Sequence, residues 1–395
     1  MKILNRFIIL VLFVVLLFTS GSVVSAFEVV NRQDLKLDDA LAEQQVLYSQ
    51  PMKIYISQVH VGNEELKNNS KGLIRAIYYY SITRLKLNDI PYNYLIDGGG
   101  NVYEVSKGGV GANPGLQGGE NIVLIGLLSD GSSLTPRVST SLEELVETLS
   151  YRYGIVKGSW DFVDLKIVSK ESQRSYMVAQ KSLSSLRTEI DGALSSVKWS
   201  DAEHLEYKAS IESVEYPEEI EIGKQLPVKV KVMNENDFPW FLDKKYVYIS
   251  TENGKESPYA INSVWQSFSK PAYIEGKYLA PGDSIEVNFL MAAKNRPGEY
   301  GEKFVFTKDV GSLFEGSKFE VKFKIVAGSH KLVEVVSPEY GFVNIRDCRW
   351  YSCKKVEVAN DGDVFITTKK EEGWYEIVYK EGSLGWVYQK YIKEL

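Results

Sequence analysis

Histidine and cysteine are scarce in this chain, with three and two among 395 residues. His60, His204 and His330 lie far apart, so no pair has the close spacing of a sequence-local zinc motif. Cys348 and Cys353, in CRWYSC, lack the Cys-x-x-Cys spacing of a redox pair. No basic block or stripe stands out, and 46 Lys plus Arg against 52 Asp plus Glu give a net charge of −6, which argues against a nucleic-acid partner. Gly-x-Ser-x-Gly is absent, so no serine sits on a nucleophile elbow. The glycine cluster from Gly108 to Gly119 is not followed by Gly-Lys-Ser/Thr, which excludes a phosphate loop. Past the N-terminus, no apolar run approaches the roughly 20 residues that cross a bilayer.

The N-terminus itself reads as an address. Lys2 and Arg6 precede an apolar run from Phe7 to Phe18, and small residues end in Val24-Ser25-Ala26. Charged start, short apolar middle and small end describe an export signal over 1–26, giving a secreted or envelope-associated chain. An uncleaved membrane anchor is the alternative reading. In an oxidising compartment Cys348 and Cys353 are expected to close a hairpin as a disulfide. At 395 residues, 44% hydrophobic and 25% charged, the chain is globular and too long for one core. Its 25 tyrosines suit strands and sugar stacking alike.

Periodicity divides the rest into a multidomain chain. Residues 27–165 alternate strands and helices, as an α/β domain does. Lys53–Ser57, Tyr92–Ile96, Asn101–Val105 and the wholly apolar Ile122–Leu128 read as strands. Leu73, Ile77, Tyr80 and Arg84 suggest one helix; Leu142, Leu145, Val146, Leu149 and Tyr153 suggest another, with Thr140 and Glu143 as a capping box and Gly154 as the stop. Within a helical connector at 166–205, Tyr176, Ala179, Leu183, Leu186, Ile190, Ala193 and Val197 step by three and four. That predicts one long amphipathic helix, packed on its own domain or pairing with a second copy into a homo-oligomer. Residues 206–328 alternate like a β-sandwich, with Trp240 and Trp265 as core anchors. Residues 331–395 carry short strands, glycine turns and alternating aromatics, as a small β-barrel does.

Five blocks of the first domain resemble peptidoglycan-cleaving amidases of the peptidoglycan-recognition and phage-lysozyme type, in order: KIYISQV, DIPYNYLIDGGGNVYEV, GVGANPG, ENIVLIGLL and YGIVKGSWDF. The resemblance implies a mixed sheet with flanking helices. It places Tyr92 on the family's catalytic tyrosine, Ser57 and Ser159 in the slots of two zinc-binding histidines, Asn113 in a further histidine slot, and Asn121 and Asp161 on matching positions of the groove. The Cys-Pro-Gly block that brings the third ligand is replaced by VDLKIVSK. Catalytic zinc needs three protein ligands and an open position for water, so these positions imply no metal and no cofactor. His60 lies three residues beyond Ser57, an odd offset that turns it to the other face of a strand.

The sandwich region resembles immunoglobulin-like domains through Gly223, Val228-x-Val230-x-Val232-x-Asn234, Trp240, Pro281-Gly282 and Pro297-Gly298-x-Tyr300. The last region resembles bacterial SH3-like (SH3b) domains through VNIRD, DGD, GWYEIVY and GSLGWVYQKYI. That second resemblance implies attachment to cell-wall peptidoglycan or its peptides, with Trp350, Tyr351, Trp374 and Trp386 as candidate contacts. Three functions remain in view: a non-hydrolytic peptidoglycan or stem-peptide binder, an N-acetylmuramoyl-L-alanine amidase with an unconventional zinc site, and an envelope scaffold.

Overall fold

The computed structural model describes residues 28–42, 46–60, 68–117, 120–129, 131–169, 175–242, 247–293, 296–308, 312–380 and 383–395. The export signal over 1–26 and the glycines Gly118, Gly119 and Gly382 lie outside the described residues. Among the described residues, no helix is long and apolar enough to cross a membrane. The chain divides into two compact units, Met1–Leu205 and Glu206–Leu395.

The first unit is built on one seven-stranded mixed sheet. Its strands are β1 (Val29–Val30), β2 (Lys53–Val59), β3 (Tyr94–Ile96), β4 (Val102–Glu104), β5 (Ile122–Leu128), β6 (Trp160–Ser169) and β7 (Ser175–Lys181). The spatial order is β1-β4-β3-β5-β2-β6-β7, with β3, β5, β2 and β6 running parallel. Every residue of β5 is buried, as a strand covered on both faces requires. Strand alternation divides the core in two. Ile54, Ile56, Val123, Ile125, Leu127, Tyr94 and Ile96 pack under α2 (Pro136–Tyr153) and α3 (Leu186–Leu194). Leu124, Leu95, Tyr92 and the half-buried Tyr55 pack under α1 (Ser70–Thr83). The N-terminal segment is fastened by Arg32, whose buried guanidinium reaches Asp39 at 2.8 Å and Asp89 at 3.1 Å.

Three expectations change here. In α1 the buried stripe is Leu73, Ile74, Tyr78 and Ser81, and Tyr80 is exposed, because residues three and four apart share a helix face. The second helix starts before Thr140: Thr135 caps it, accepting from Val138 N–H at 3.3 Å, and Pro136 opens its first turn. Gly154 does end it, at φ 68°. The long helix over 176–197 does not form. Ser175–Lys181 is instead a strand, paired antiparallel along Val163–Ser169. Met177 and Ala179 face the core, Leu183 is 95% exposed, and only Leu186–Leu194 is helical. The free edge of β6 offers a full ladder of backbone hydrogen bonds, which outweighs a weak helical stripe.

The second unit begins with two facing sheets. One has the order β15-β10-β8, from β8 (Ala209–Glu215), β10 (Gln225–Asn234) and β15 (Ser284–Ala292). The other has the order β13-β12-β16-β17-β9, from β9 (Glu219–Glu221), β12 (Val247–Thr251), β13 (Ala272–Tyr273), β16 (Gly298–Lys308) and β17 (Phe319–Val326). A short pair, β11 (Trp240–Phe241) and β14 (Tyr278–Leu279), closes one end. Phe289 of one sheet meets Phe304 of the other at 5.2 Å. Trp265 packs on both, and Trp240 is fully buried against Phe314.

A seven-stranded antiparallel sheet follows, in the order β20-β19-β23-β22-β21-β18-β24. Its strands are β18 (Lys331–Val335), β19 (Phe342–Arg346), β20 (Lys355–Asn360), β21 (Val364–Glu371), β22 (Trp374–Lys380), β23 (Ser383–Tyr388) and β24 (Ile392–Glu394). Val333, Val335, Ile345, Ile377 and Val387 form its core. Cys348 and Cys353 are joined as a disulfide in the β19–β20 connection, with Cα atoms 5.6 Å apart.

Candidate functional site

Two places hold the residues that the sequence singled out. The first is the parallel core of the first unit. Ser57 on β2 stands in register with Gly126 on β5, which stands in register with Leu95 on β3. A side chain at Gly126 would meet Tyr92 Cε1 at 2.8 Å and Leu95 Cδ2 at 2.5 Å, so the glycine leaves the space that the Tyr92 ring fills. Ser57 is 0% exposed and Tyr92 is buried beside it. Burial pushes the Tyr92 phenol above its ordinary pKa, and the neighbouring Ser57 hydroxyl opposes that shift. Ser57 Oγ nonetheless completes no hydrogen bond of acceptable geometry.

The remaining groove candidates do not converge on this pair. On the parallel pair of β2 and β6, Tyr55 faces Asp161 and Ile56 faces Phe162. The next step brings Val163 level with Ser57, and Val163 is buried in the same cluster as Tyr92. Ser159 lies before β6, where its carbonyl accepts from Ile54 N–H at 2.9 Å. Four strand residues separate that level from Ser57, roughly 13 Å. Asn121, at φ 66°, turns the chain into β5 at that same strand-start end. Asp161 pairs with Arg187 at 3.6 Å, and Asn113 closes a loop turn by accepting from Gly115 N–H at 2.9 Å. The groove predicted from Ser57, Tyr92, Asn113, Asn121, Ser159 and Asp161 therefore reduces to Ser57 and Tyr92. Ser159 does not join them, because the register of β2 with β6 puts it just ahead of the strand, level with the start of β2.

Among the described residues, those around Ser57 do not fit a zinc ion. Beside Ser57 stand an apolar valine and a glycine, and the adjoining phenol is held neutral by burial. None of these replaces an imidazole or thiolate. His60 is exposed beyond the last residue of β2. Among the described residues, three donor-type groups come together at Asp347, Cys348 and Cys353, and the disulfide takes both sulfurs.

Two polar residues that the sequence reading passed over hold this end together. The Asn93 side chain is wholly buried; it donates to the carbonyls of Gly109 at 3.0 Å and Ala112 at 2.9 Å and accepts from Leu124 N–H at 2.8 Å. Asp97 accepts from Ser70 Oγ at 2.6 Å, Tyr103 OH at 2.9 Å, Asn101 Nδ2 at 2.9 Å and the N–H groups of Gly99 and Asn101, both at 2.9 Å. Burial alone would raise its pKa, but the hydrogen bonds from Ser70, Asn101 and Tyr103 outweigh it and hold the carboxyl below the usual range. The signal was legible: Asp-Gly-Gly-Gly-Asn is turn chemistry in which a carboxylate caps its own backbone.

The second place is a surface groove of about 260 Å³ on the C-terminal sheet. Tyr340, Phe342, Tyr351, Trp374, Tyr388 and Tyr391 line it, together with Asn344 and Arg346. Tyr351, Trp374 and Tyr388 form a triangle of rings with centroids 5.2–5.3 Å apart. Trp374 is 4% exposed and forms a floor, whereas Tyr351 is 63% exposed. Of the aromatic candidates, Tyr351 and Trp374 belong to the groove. Trp350 is exposed without lining it, and Trp386 lies buried under the Lys369 ammonium, 5.2 Å from the ring centre. Tyr340, Phe342 and Tyr388 were missed; the alternation of β23, which puts Trp386 and Tyr388 on one side, was the available signal for the last of them.

No family model and no curated protein matches this chain. Among solved structures, it is similar to PGRP-Hd from Alvinella pompejana (15% identity, TM-score 0.30, covering 34% of this chain and 84% of that one). Drosophila peptidoglycan recognition protein SD is similar at 17% identity and TM-score 0.29, over 34% of this chain and 80% of that one. Manduca sexta Peptidoglycan Recognition Protein-1 is similar at 19% identity and TM-score 0.29, over 34% and 77%. At these levels the likeness concerns the fold of about a third of the chain.

Proposed function

We propose that this chain is an exported cell-envelope protein that binds peptidoglycan or its stem peptides without hydrolysing them. The observation that carries this reading is the C-terminal groove, where rings with exposed faces surround a small cavity with a cation and an amide at its wall. Aromatic planes hold sugar rings and peptide planes through apolar contact while their hydroxyls stay wet. The motifs of 331–395 support reading this module as SH3-like, and the paired sheets before it as immunoglobulin-like. The Tyr92 end supports the non-hydrolytic half of the reading. Hydrolysis by a metal hydroxide needs ligands that Ser57, Val163 and Gly126 do not supply.

The test is co-sedimentation of the chain lacking residues 1–26 with insoluble peptidoglycan. The protein should pellet, and Tyr351→Ala should cut the bound fraction severalfold while the protein stays folded. Release of stem peptide from muropeptides by the same preparation would overturn the non-hydrolytic reading. Failure of the unaltered protein to pellet would overturn the binding reading.

A further inference from the structure

We infer that the C-terminal groove takes a short peptide segment ending in a free carboxylate, with Arg346 as the group that receives it. This deepens the wall-binding reading and rests on it. The first observation is charge. Among the groove's lining residues Arg346 is the single charged side chain, and no Asp or Glu stands with it.

The second observation concerns the guanidinium itself. One of its nitrogens, Nη1, donates to the Cys353 carbonyl at 2.7 Å, and Arg346 makes no ion pair among the described residues. Guanidinium carries five N–H donors in a planar fork, so most of its donor capacity is left for a ligand. The tether to Cys353 also matters. That residue is locked to Cys348, which fixes the carbonyl and with it the fork's orientation. Burial and the neighbouring phenols of Tyr388 and Tyr391 push the Tyr351 phenol above its ordinary pKa, and the field of Arg346 opposes that shift from inside the groove.

The third observation is size and lining. A cavity of about 260 Å³ is small for a ligand site, at the scale of a few residues rather than a polymer strand. Apolar ring faces exclude water around the cation, which strengthens its attraction for an anion relative to open solvent. A carboxylate matches the fork with two parallel hydrogen bonds, whereas a neutral amide offers a single acceptor and no charge. Asn344, on the same strand as Arg346 and two residues away, is left to pair with the peptide backbone.

The experiment is calorimetric titration of the chain lacking residues 1–26 with diacetyl-Lys-D-Ala-D-Ala and, separately, with its C-terminal amide. The free acid should bind about tenfold more tightly, the size of one charge-assisted contact. Arg346→Gln should erase the difference, Arg346→Lys should keep part of it, and Tyr351→Ala should weaken both peptides. Raising ionic strength should weaken the acid and leave the amide nearly unchanged. Equal affinity for the two peptides, or a preference that survives Arg346→Gln, overturns the inference. If neither peptide binds while the protein still pellets with peptidoglycan, the inference falls and the wall-binding reading stands. A thermal melt matching the unaltered protein certifies each variant as folded.

Discussion

At the Tyr92 end of the first sheet, the phenol and its serine neighbour are sealed under α1, and Leu95 and Val163 are buried in the same cluster as the phenol. In the C-terminal sheet the arrangement is inverted: Trp374 is sunk as a floor and Tyr351 is left 63% exposed above it. Both regions are rich in tyrosine, so composition does not distinguish them. Cross-strand neighbours do. Where the partner strand offers Gly126, a ring lies down into the sheet and becomes core. Where Trp374 faces Tyr388 across β22 and β23, the rings crowd one another, so that Trp374 is covered while Tyr388 and Tyr351 stay partly open above it. The tyrosine that matches a catalytic motif is thereby buried, and tyrosines that match no catalytic motif line the accessible groove.

The comparison breaks most visibly if Tyr92 is removed. Tyr92→Ala should destabilise the first unit by about 3–5 kcal/mol, the range for large aromatic truncations in a core. Denaturant unfolding checks this, and a loss below about 1 kcal/mol would mean that the ring is not core. Gly126→Ala probes the same packing from the other side. Its new methyl would press on Tyr92 and Leu95, and overpacking of this kind costs about 1–3 kcal/mol. Neither substitution should change sedimentation with peptidoglycan under conditions where the protein remains folded.

Asp97 sharpens the contrast through pH. Its folded-state pKa lies below the ordinary value of 3.8, so the folded form binds a proton less readily than the unfolded chain. The stability it contributes is therefore present above about pH 3.8 and is lost as pH falls through the lowered folded value. Asp97→Asn should flatten that acid limb in a series of unfolding curves. It should also cost about 1–3 kcal/mol near neutrality, because five donors then meet an amide in place of a carboxylate. An unchanged acid limb would mean that other carboxylates set it.

Much of this was legible in the residues, and the failures have physical causes. Ile122–Leu128 could be read because an unbroken apolar run has few uses other than a strand covered on both faces. Gly154 could be read because a helix ending in the left-handed region favours glycine. Thr140 and Glu143 misled because a capping pair inside a helix looks like one at its start, and only Thr135-Pro136 settles which is used. The 176–197 stripe misled because periodicity is local, whereas the open edge of β6 is a property of the folded sheet. For the same reason Ser159 was placed beside Ser57: register between distant strands is not written in either segment. The groove was half legible, since Trp374 sits in GWYEIVY and Tyr351 between the two cysteines of CRWYSC, while Tyr340 and Phe342 arrive from a loop and a strand start.

The smallest effect is the most discriminating. Ser57 Oγ is buried and makes no hydrogen bond of acceptable geometry, so it has lost its water without gaining a partner. Such a group carries the desolvation cost of a hydroxyl, and removing it restores apolar contact at nearly the same volume. Ser57→Ala should therefore leave stability unchanged or raise it by up to about 1 kcal/mol, and wall binding should not move. If Ser57 were instead a contact for a ligand entering beside Tyr92, the same change would leave stability alone and weaken sedimentation. Tyr351→Ala supplies the matching control on the open side. As an exposed ring it should shift stability by no more than about 0.5 kcal/mol while binding falls severalfold. Opposite signatures at Ser57 and Tyr351 would establish the buried tyrosine end as scaffold and the aromatic groove as the working surface.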